Sequence, residues 1–145
     1  MRAIIQRVLA AEVTVHAKQI SKIGSGLLTF LGVQKGDTEE KADKLIKKIV
    51  ELRIFSDEMG KMNLSLLDKK AEHLIVSQFT LAADCSSGRR PSFITAEEPQ
   101  KAKYLYERSI EISRGFGIPT FGGEFQADMK VSLQNDGPVT FILEL

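Results

Sequence analysis

From Arg2 to His16 the chain is rich in β-branched and aliphatic residues with partial alternation of apolar and polar positions. That is the period of a strand with one buried face. Gly24-Ser25-Gly26 interrupts the pattern before a second apolar run, Leu27 to Val33, so two or three antiparallel strands are expected in this first part. Beyond Gly36 the period changes. Ala42, Leu45, Ile46, Ile49 and Leu52 recur at helical spacing, while Lys41, Lys44, Lys47, Lys48 and Glu51 take the opposite side. Asp37, with Glu40 three residues on, has the spacing of a capping box. An amphipathic helix covering one face of a sheet is predicted, its lysines the solvated side or a contribution to an RNA-facing patch.

Residues 56–70, with Gly60 and Asn63, read as a loop or small hairpin, and Ala71 to Leu81 as a strong strand. A long polar loop, Ala82 to Thr95, contains CSSGRRPSF. Thr95 and Glu98 form a second capping-box pattern, with Pro99 tolerated in the first helical turn. The helix that follows buries Ala102, Leu105, Tyr106, Ser109, Ile112 and Phe116; Gly115 and Gly117 end it, and Pro119 reinforces the stop. Two last strands, about 121–133 and 139–145, are joined by a turn at Asn135-Asp136-Gly137-Pro138. Pro138 removes a backbone donor where the closing strand begins, which suits a strand's first residue or an edge. Gly-Pro is also a bond at which cis lies only about 0.5–1 kcal/mol uphill. With no repeat, linker or low-complexity segment, a single α/β domain over residues 1–145 is expected.

Composition narrows the function classes. A chain of 145 residues buries roughly 68–70% of its unfolded surface and needs no staples. Twenty Lys and Arg against 19 Asp and Glu give no general attraction to nucleic acid or membrane, so RNA affinity would have to come from a local patch. The lone Cys85 cannot pair internally, and the N-terminal apolar runs are broken by Arg2, Gln6, Arg7 and Glu12. A soluble cytoplasmic protein with no membrane partner is the expectation. His16 and His73 lie far apart in predicted strands, outside any ligand-spacing motif, so no metal centre is expected. Cys85 with His73 as base is conceivable because the pair brackets one strand, yet that path fixes no geometry. Gly24-Ser25-Gly26 lacks the Lys-Ser/Thr of a phosphate loop.

Ser77-Gln78-Phe79-Thr80-Leu81 ends the most apolar strand in hydroxyl and amide groups. Alternation puts Gln78 and Thr80 on one face and Ser77 and Phe79 on the other. They are either the polar mouth of a site or ordinary residues near a sheet edge. Arg89 and Arg90 offer paired guanidiniums suited to phosphate, or are simply solvated.

The combination is more specific. SQFTL at 77–81 with NDGPVT at 135–140 closely resembles the two signature motifs of the D-aminoacyl-tRNA deacylases. GRRPSF at 88–93 resembles that family's third recurrent segment, with GRR where many members carry GNR, and the likeness extends from MRAIIQRV to the end of the chain. The resemblance implies a compact fold in which antiparallel or mixed sheets close around a core with helices on one side. It also implies a homodimer without metal or organic cofactor, and hydrolysis of the ester between a D-amino acid, or mischarged glycine, and tRNA. On that resemblance Ser77, Gln78, Phe79 and Thr80 form the hydrolytic site. The Gly137-Pro138 peptide is cis and reaches into the partner subunit's pocket, where its carbonyls read chirality. Arg7, Asn135 and Met129 support it, and Arg89 and Arg90 contact RNA. Two mechanisms stay open: covalent attack by Thr80 Oγ, for which neither motif provides a histidine base, and attack by water in a backbone oxyanion hole assisted by the tRNA 2′-hydroxyl. A non-catalytic RNA-binding or assembly module on the same fold is the competing reading.

Overall fold

A computed structural model describes residues 1–145, and its spine is the strand β1 (Arg2–Val15). β1 pairs antiparallel with β3 (Gly26–Gly32) through its first half and with β2 (Lys18–Ile23) through its second. The long strand β8 (Lys130–Glu144) runs antiparallel to β1 over both halves and therefore takes its other edge. β6 (Glu72–Ser77) adds parallel to β3, and β7 (Thr120–Gly122) parallel to β6. The result is a near-closed mixed sheet of six strands with a separate hairpin, β4 (Phe55–Ser56) and β5 (Met62–Leu64). Three helices accompany it: α1 (Glu39–Glu51), the short α2 (Leu66–Lys69) and α3 (Pro99–Gly115).

The central strands are apolar on both faces because both faces are covered. Ile5, Leu27, Leu31 and Ile75 turn towards Leu45, Ile46 and Ile49 of α1 and Leu105 of α3 in one cluster of 20 buried residues. The alternate positions Val8, Leu28, Leu74 and Val76 join Val13 and Ile23 in a second cluster of seven. Each fully buried aliphatic side chain contributes about 1.5–3 kcal/mol. This two-sided burial fixes the register of β6, and hence where its polar end emerges.

Several local expectations give way to longer-range bonds. Thr38, not Asp37, caps α1, accepting from the Lys41 N–H at 3.3 Å. Asp37 is 1% exposed and takes the Met1 ammonium and the Gln34 N–H, both at 2.7 Å. The second capping box does not form: α3 begins at Pro99 with Glu98 as an uncapping N-cap, and the Thr95 hydroxyl donates instead to the Ala82 carbonyl. On α3 the buried set is Leu105, Tyr106, Ser109, Ile110 and Ser113, so Phe116 lies past its end. The hairpin expected within 56–70 is present, but α2, with a true capping box between Ser65 and Asp68, was not foreseen. His16 sits in the turn between β1 and β2 at φ 49°, not within a strand.

The largest departure concerns the chain end. Instead of two strands joined by a turn at 135–138, β8 is a single strand running through that segment. Val8 faces Asn135 and Gln6 faces Thr140, so the residues between Asn135 and Thr140 bow out opposite Arg7. Proline is tolerated in such a bulge because no partner there needs its N–H.

Candidate active site

The strand expected to reach Leu81 stops at Ser77. Gln78, at φ −144° and ψ 83°, redirects the chain into a 3-10 turn, Phe79–Ala82. The face assignment by alternation is thereby lost, since a turn and not a strand carries Thr80. Gln78 and Thr80 nonetheless meet: the Gln78 Nε2 donates to Thr80 Oγ1 at 2.5 Å. The N–H groups of Phe79 and Thr80 open the turn and have no partner within it.

The turn is clamped from beneath. Gln78 N–H donates to the Leu31 carbonyl at 2.8 Å, and Arg2 Nη1 to the Leu81 carbonyl at 2.8 Å. Arg2 is in turn fixed by an ion pair with Glu144. Gly32 lies so close that a Cβ there would meet Leu81 Cβ at 2.8 Å and the Gln78 carbonyl oxygen at 3.0 Å. Neither Arg2 nor Gly32 stood out in the sequence, because a charge at a strand's start and a glycine at its end are both commonplace.

The loop after the turn is closed at its neck. Asp84 and Ser92 exchange backbone bonds of 2.8 and 2.9 Å, and Asp84 Oδ1 accepts from the Ser86 N–H, which lowers the carboxyl's pKa. Gly88 at φ 71° turns the tip, where Arg89 and Arg90 are exposed. Cys85 is exposed on this loop, whereas His73 is fully buried, bonded to Thr29 and Ser113, so the two form no nucleophile–base pair.

The bulge on β8 is pinned by its own neighbours. Asn135 Nδ2 donates to the Arg7 carbonyl at 2.9 Å and to the Val139 carbonyl at 3.1 Å. Arg7 Nε faces Asp136 Oδ2 at 2.8 Å, and Arg7 Nη1 donates to the Ile54 carbonyl at 2.6 Å. Val139 is 1% exposed and anchors the far side in the main core. Gly137 and Pro138 are exposed at the crest, and the peptide between them is cis.

The predicted residues thus fall into separate groups. Ser77 to Thr80 and the Arg89-Arg90 loop are joined through Ala82 and Thr95. Gly137 and Pro138 stand apart with Arg7 and Asn135. Arg2 and Arg7, which fasten the two motifs, are five positions apart on β1, about 17 Å along an extended strand. No hydrogen bond or ion pair within one chain joins Ser77 to Thr80 with Gly137 or Pro138. Met129 is half-buried in the second cluster, covering Gly123 beside Val76 and so next to the site end of β6. Two surface depressions of about 460 and 580 Å³ lie around Asp37, and neither is lined by residues 77 to 80.

The family model described as D-Tyr-tRNA(Tyr) deacylase matches residues 4–144. A D-aminoacyl-tRNA deacylase of Geotalea uraniireducens (strain Rf4) is 59% identical over 144 residues, covering 99% of this chain and 93% of that protein. One of Persephonella marina (strain DSM 14350 / EX-H1) is 58% identical over 144 residues, 99% and 97% of the two chains. Among solved structures, a c-Myc DNA Unwinding Element Binding Protein superposes with a TM-score of 0.94 at 41% identity, over 100% of this chain and 99% of that one. A probable eukaryotic D-amino acid tRNA deacylase, at 17% identity and a TM-score of 0.86 over 99% and 98%, shares the fold.

Proposed function

This chain belongs to the D-Tyr-tRNA(Tyr) deacylase family, a family of hydrolases, and from that premise we propose that it hydrolyses the ester joining a D-amino acid to tRNA. Glycine mischarged on tRNA is a second substrate, L-aminoacyl-tRNA is rejected, and the setting is the cytoplasm. The observation that carries the reading is the clamped 3-10 turn. It leaves the N–H groups of Phe79 and Thr80, two exposed residues, without a partner in the turn, and the turn has no titratable side chain. An aminoacyl ester is already activated. Two fixed donors aimed at its carbonyl oxygen supply the stabilisation the tetrahedral intermediate needs.

The same geometry favours water over a covalent route. Thr80 Oγ1 is engaged by the Gln78 amide, which is no base, and His73 is committed elsewhere. The remaining proton acceptor of the right kind is the 2′-hydroxyl of the substrate's own terminal adenosine, holding a water against the ester carbon.

Chirality is read by a second subunit. The crest at Gly137 and Pro138 is pinned yet far along β1 from its own chain's turn, and Phe79 and Thr80 of that turn are exposed. A homodimer resolves both facts by placing one chain's crest over the other's turn, where backbone carbonyls accept from the substrate's α-ammonium and leave no room for an L side chain. The unpaired edge of β8, with Ile142 68% exposed, is surface for that contact. Arg89 and Arg90 meet RNA phosphates. No helix is long and apolar enough to cross a membrane.

Deacylation of D- and L-tyrosyl-tRNA by the purified protein tests the reading, with hydrolysis of the D-ester alone expected. A D-ester as stable as in buffer would leave the non-catalytic RNA-binding or assembly module in its place. Equilibrium sedimentation should give about twice the 16.1 kDa chain mass, and a stereoselective monomer would refute the cross-subunit crest.

A further inference from the structure

Three residues stand abreast across one end of the sheet. In the register of β1 with its two neighbours, Arg2 lies opposite Glu144 of β8 on one side and Gly32 of β3 on the other. Directly opposed residues of antiparallel strands point to the same face, so the row carries a carboxylate, a guanidinium and a gap. The turn at 79–82 fills the gap, since a Cβ at position 32 would meet Leu81 Cβ at 2.8 Å and the Gln78 carbonyl oxygen at 3.0 Å. Arg2 reaches from the middle of the row to that turn. Its Nη1 donates to the Leu81 carbonyl at 2.8 Å while its Nε donates to Glu144 Oε1.

The neighbouring carbonyls are already served: Gln78's by the Leu81 N–H, Thr80's by the Ala83 N–H and Ala82's by the Thr95 hydroxyl. The Leu81 carbonyl has Arg2 as its donor. The Gln78 N–H on Leu31 fixes where the turn leaves β6, and Arg2 fixes the tilt of the turn's third residue. The Phe79 and Thr80 N–H groups lie between those two points.

We propose that Arg2 is a positioning residue for ester hydrolysis: acting through the Leu81 carbonyl, it holds the Phe79 and Thr80 N–H groups where the oxyanion forms, an inference that rests on the deacylase reading above. The planar guanidinium directs one N–H to a carbonyl and another to a carboxylate in fixed relative directions. A lysine keeps the charge without that fork. Glu144 acts on the turn only by fixing Arg2. Misplacing a group by about 1 Å can cost about 10²-fold. Because oxyanion donors are felt in the transition state more than in the bound substrate, the loss belongs in kcat and not in KM.

Arg2→Ala should lower kcat on D-tyrosyl-tRNA about 10- to 100-fold with KM within about threefold. Its urea midpoint should barely move, since a partly exposed ion pair adds little to stability. Arg2→Lys should recover little of the rate. Guanidinium ion added well below denaturing concentrations should restore part of the rate to Arg2→Ala and none to the unaltered protein, and ammonium should restore none to either. Glu144→Gln should lower kcat by less than Arg2→Ala does, and in the Arg2→Ala background it should change nothing further. Full activity in Arg2→Ala, or an Arg2→Lys variant as active as the unaltered protein, would overturn the proposal.

A second arm needs no hydrolysis. The backbone amide resonances of Phe79 and Thr80 should move in Arg2→Ala and also in Arg2→Lys, which keeps the charge, while those of Leu74 and Ile75 in β6 stay in place. Unmoved Phe79 and Thr80 amides would remove the positioning role. If the unaltered protein left D-tyrosyl-tRNA intact, the deacylase reading would fall, and these resonances would still decide whether Arg2 sets the turn.

Discussion

At one end of β6 His73 is fully buried and bonded at both ring nitrogens, to Thr29 at 2.7 Å and Ser113 at 2.9 Å, with Ser113 linked on to Thr120 at 2.8 Å. At the other end Gln78 bonds to Thr80, and the exposed Phe79 and Thr80 have backbone N–H groups with no partner in the turn. Histidine is the residue most versatile in acid–base chemistry, yet here it is sealed into the sheet, and burial pushes its pKa down to about 3. On the function proposed above, the end without a titratable side chain is the one that carries the chemistry. The contrast teaches that β6 separates its tasks. Its first residues fasten β3, α3 and β7 to one another, and its last residue launches a turn whose useful groups are main-chain N–H.

The largest effect that could break this contrast concerns the open end. If the turn lends only donors, the base must come with the substrate, so a D-tyrosyl ester on a 2′-deoxy terminal adenosine should be hydrolysed about 10²–10⁴-fold more slowly, the usual worth of a general base. Single-turnover rates on the two esters check it. Undiminished rates would mean that the protein holds a base after all.

The next test is at the buried end. His73→Ala removes a packed ring, strands the hydroxyl of Thr29 and takes one of the two partners of Ser113, for a loss of about 2–5 kcal/mol in urea denaturation. Its kcat on D-tyrosyl-tRNA, measured where the variant is still folded, should remain within about twofold. A collapse of kcat with stability intact would erase the division of labour.

The same residue gives the fold a pH dependence of known sign. His73 stays neutral in the native state down to about pH 3, while the unfolded chain takes up a proton near pH 6.5. Below that value the unfolded state binds more protons, so stability is complete above about pH 6.5 and falls as the pH drops towards 3. Between pH 8 and 5 the loss should be about 2 kcal/mol, most of it below pH 6.5 where the slope approaches 1.36 kcal/mol per unit. Denaturation midpoints for the unaltered protein and His73→Gln across that window should diverge, the variant lacking this part of the slope.

Much of this arrangement was legible in the residues. The three N-terminal strands, the α1 face through Ile49 and the polar end of β6 all follow from local period and type, since each is decided by neighbours within a turn or a pleat. What was not legible depends on contacts remote in sequence. Thr80 and Leu81 have strand-forming side chains and read as strand, but the close approach of Gly32 and the reach of Arg2 hold them in a turn. Asp-Gly-Pro reads as a turn between strands. It is instead a bulge in one strand, because β1 grips Asn135 on one side and Thr140 on the other, more than 120 residues away in the chain. Likewise Thr95 had the right spacing to cap α3 and was drawn to Ala82 instead. The separation of Gly137-Pro138 from the turn at 79–82 is the part of the site no local pattern could supply, since it is fixed only once β1 has placed Arg2 and Arg7.

The smallest expected effect is also the sharpest test of what the open end contributes. Thr80→Ala deletes the hydroxyl that accepts from Gln78 Nε2 and leaves the Thr80 N–H in place. The turn does not depend on that hydroxyl. Its geometry is held by Gln78 N–H on Leu31, Leu81 N–H on Gln78, Ala83 N–H on Thr80 and Arg2 on Leu81. The freed Gln78 amide faces solvent and finds water, so little is lost there. Removing an oxyanion donor costs about 10²–10³ in kcat; removing a side chain that is only its neighbour should cost less, about threefold to tenfold. A nucleophilic Thr80 would predict complete inactivity from the same substitution. Rates on D-tyrosyl-tRNA for a folded, dimeric Thr80→Ala protein separate the two, and a dead enzyme would move the chemistry from the backbone and the RNA back to the side chain.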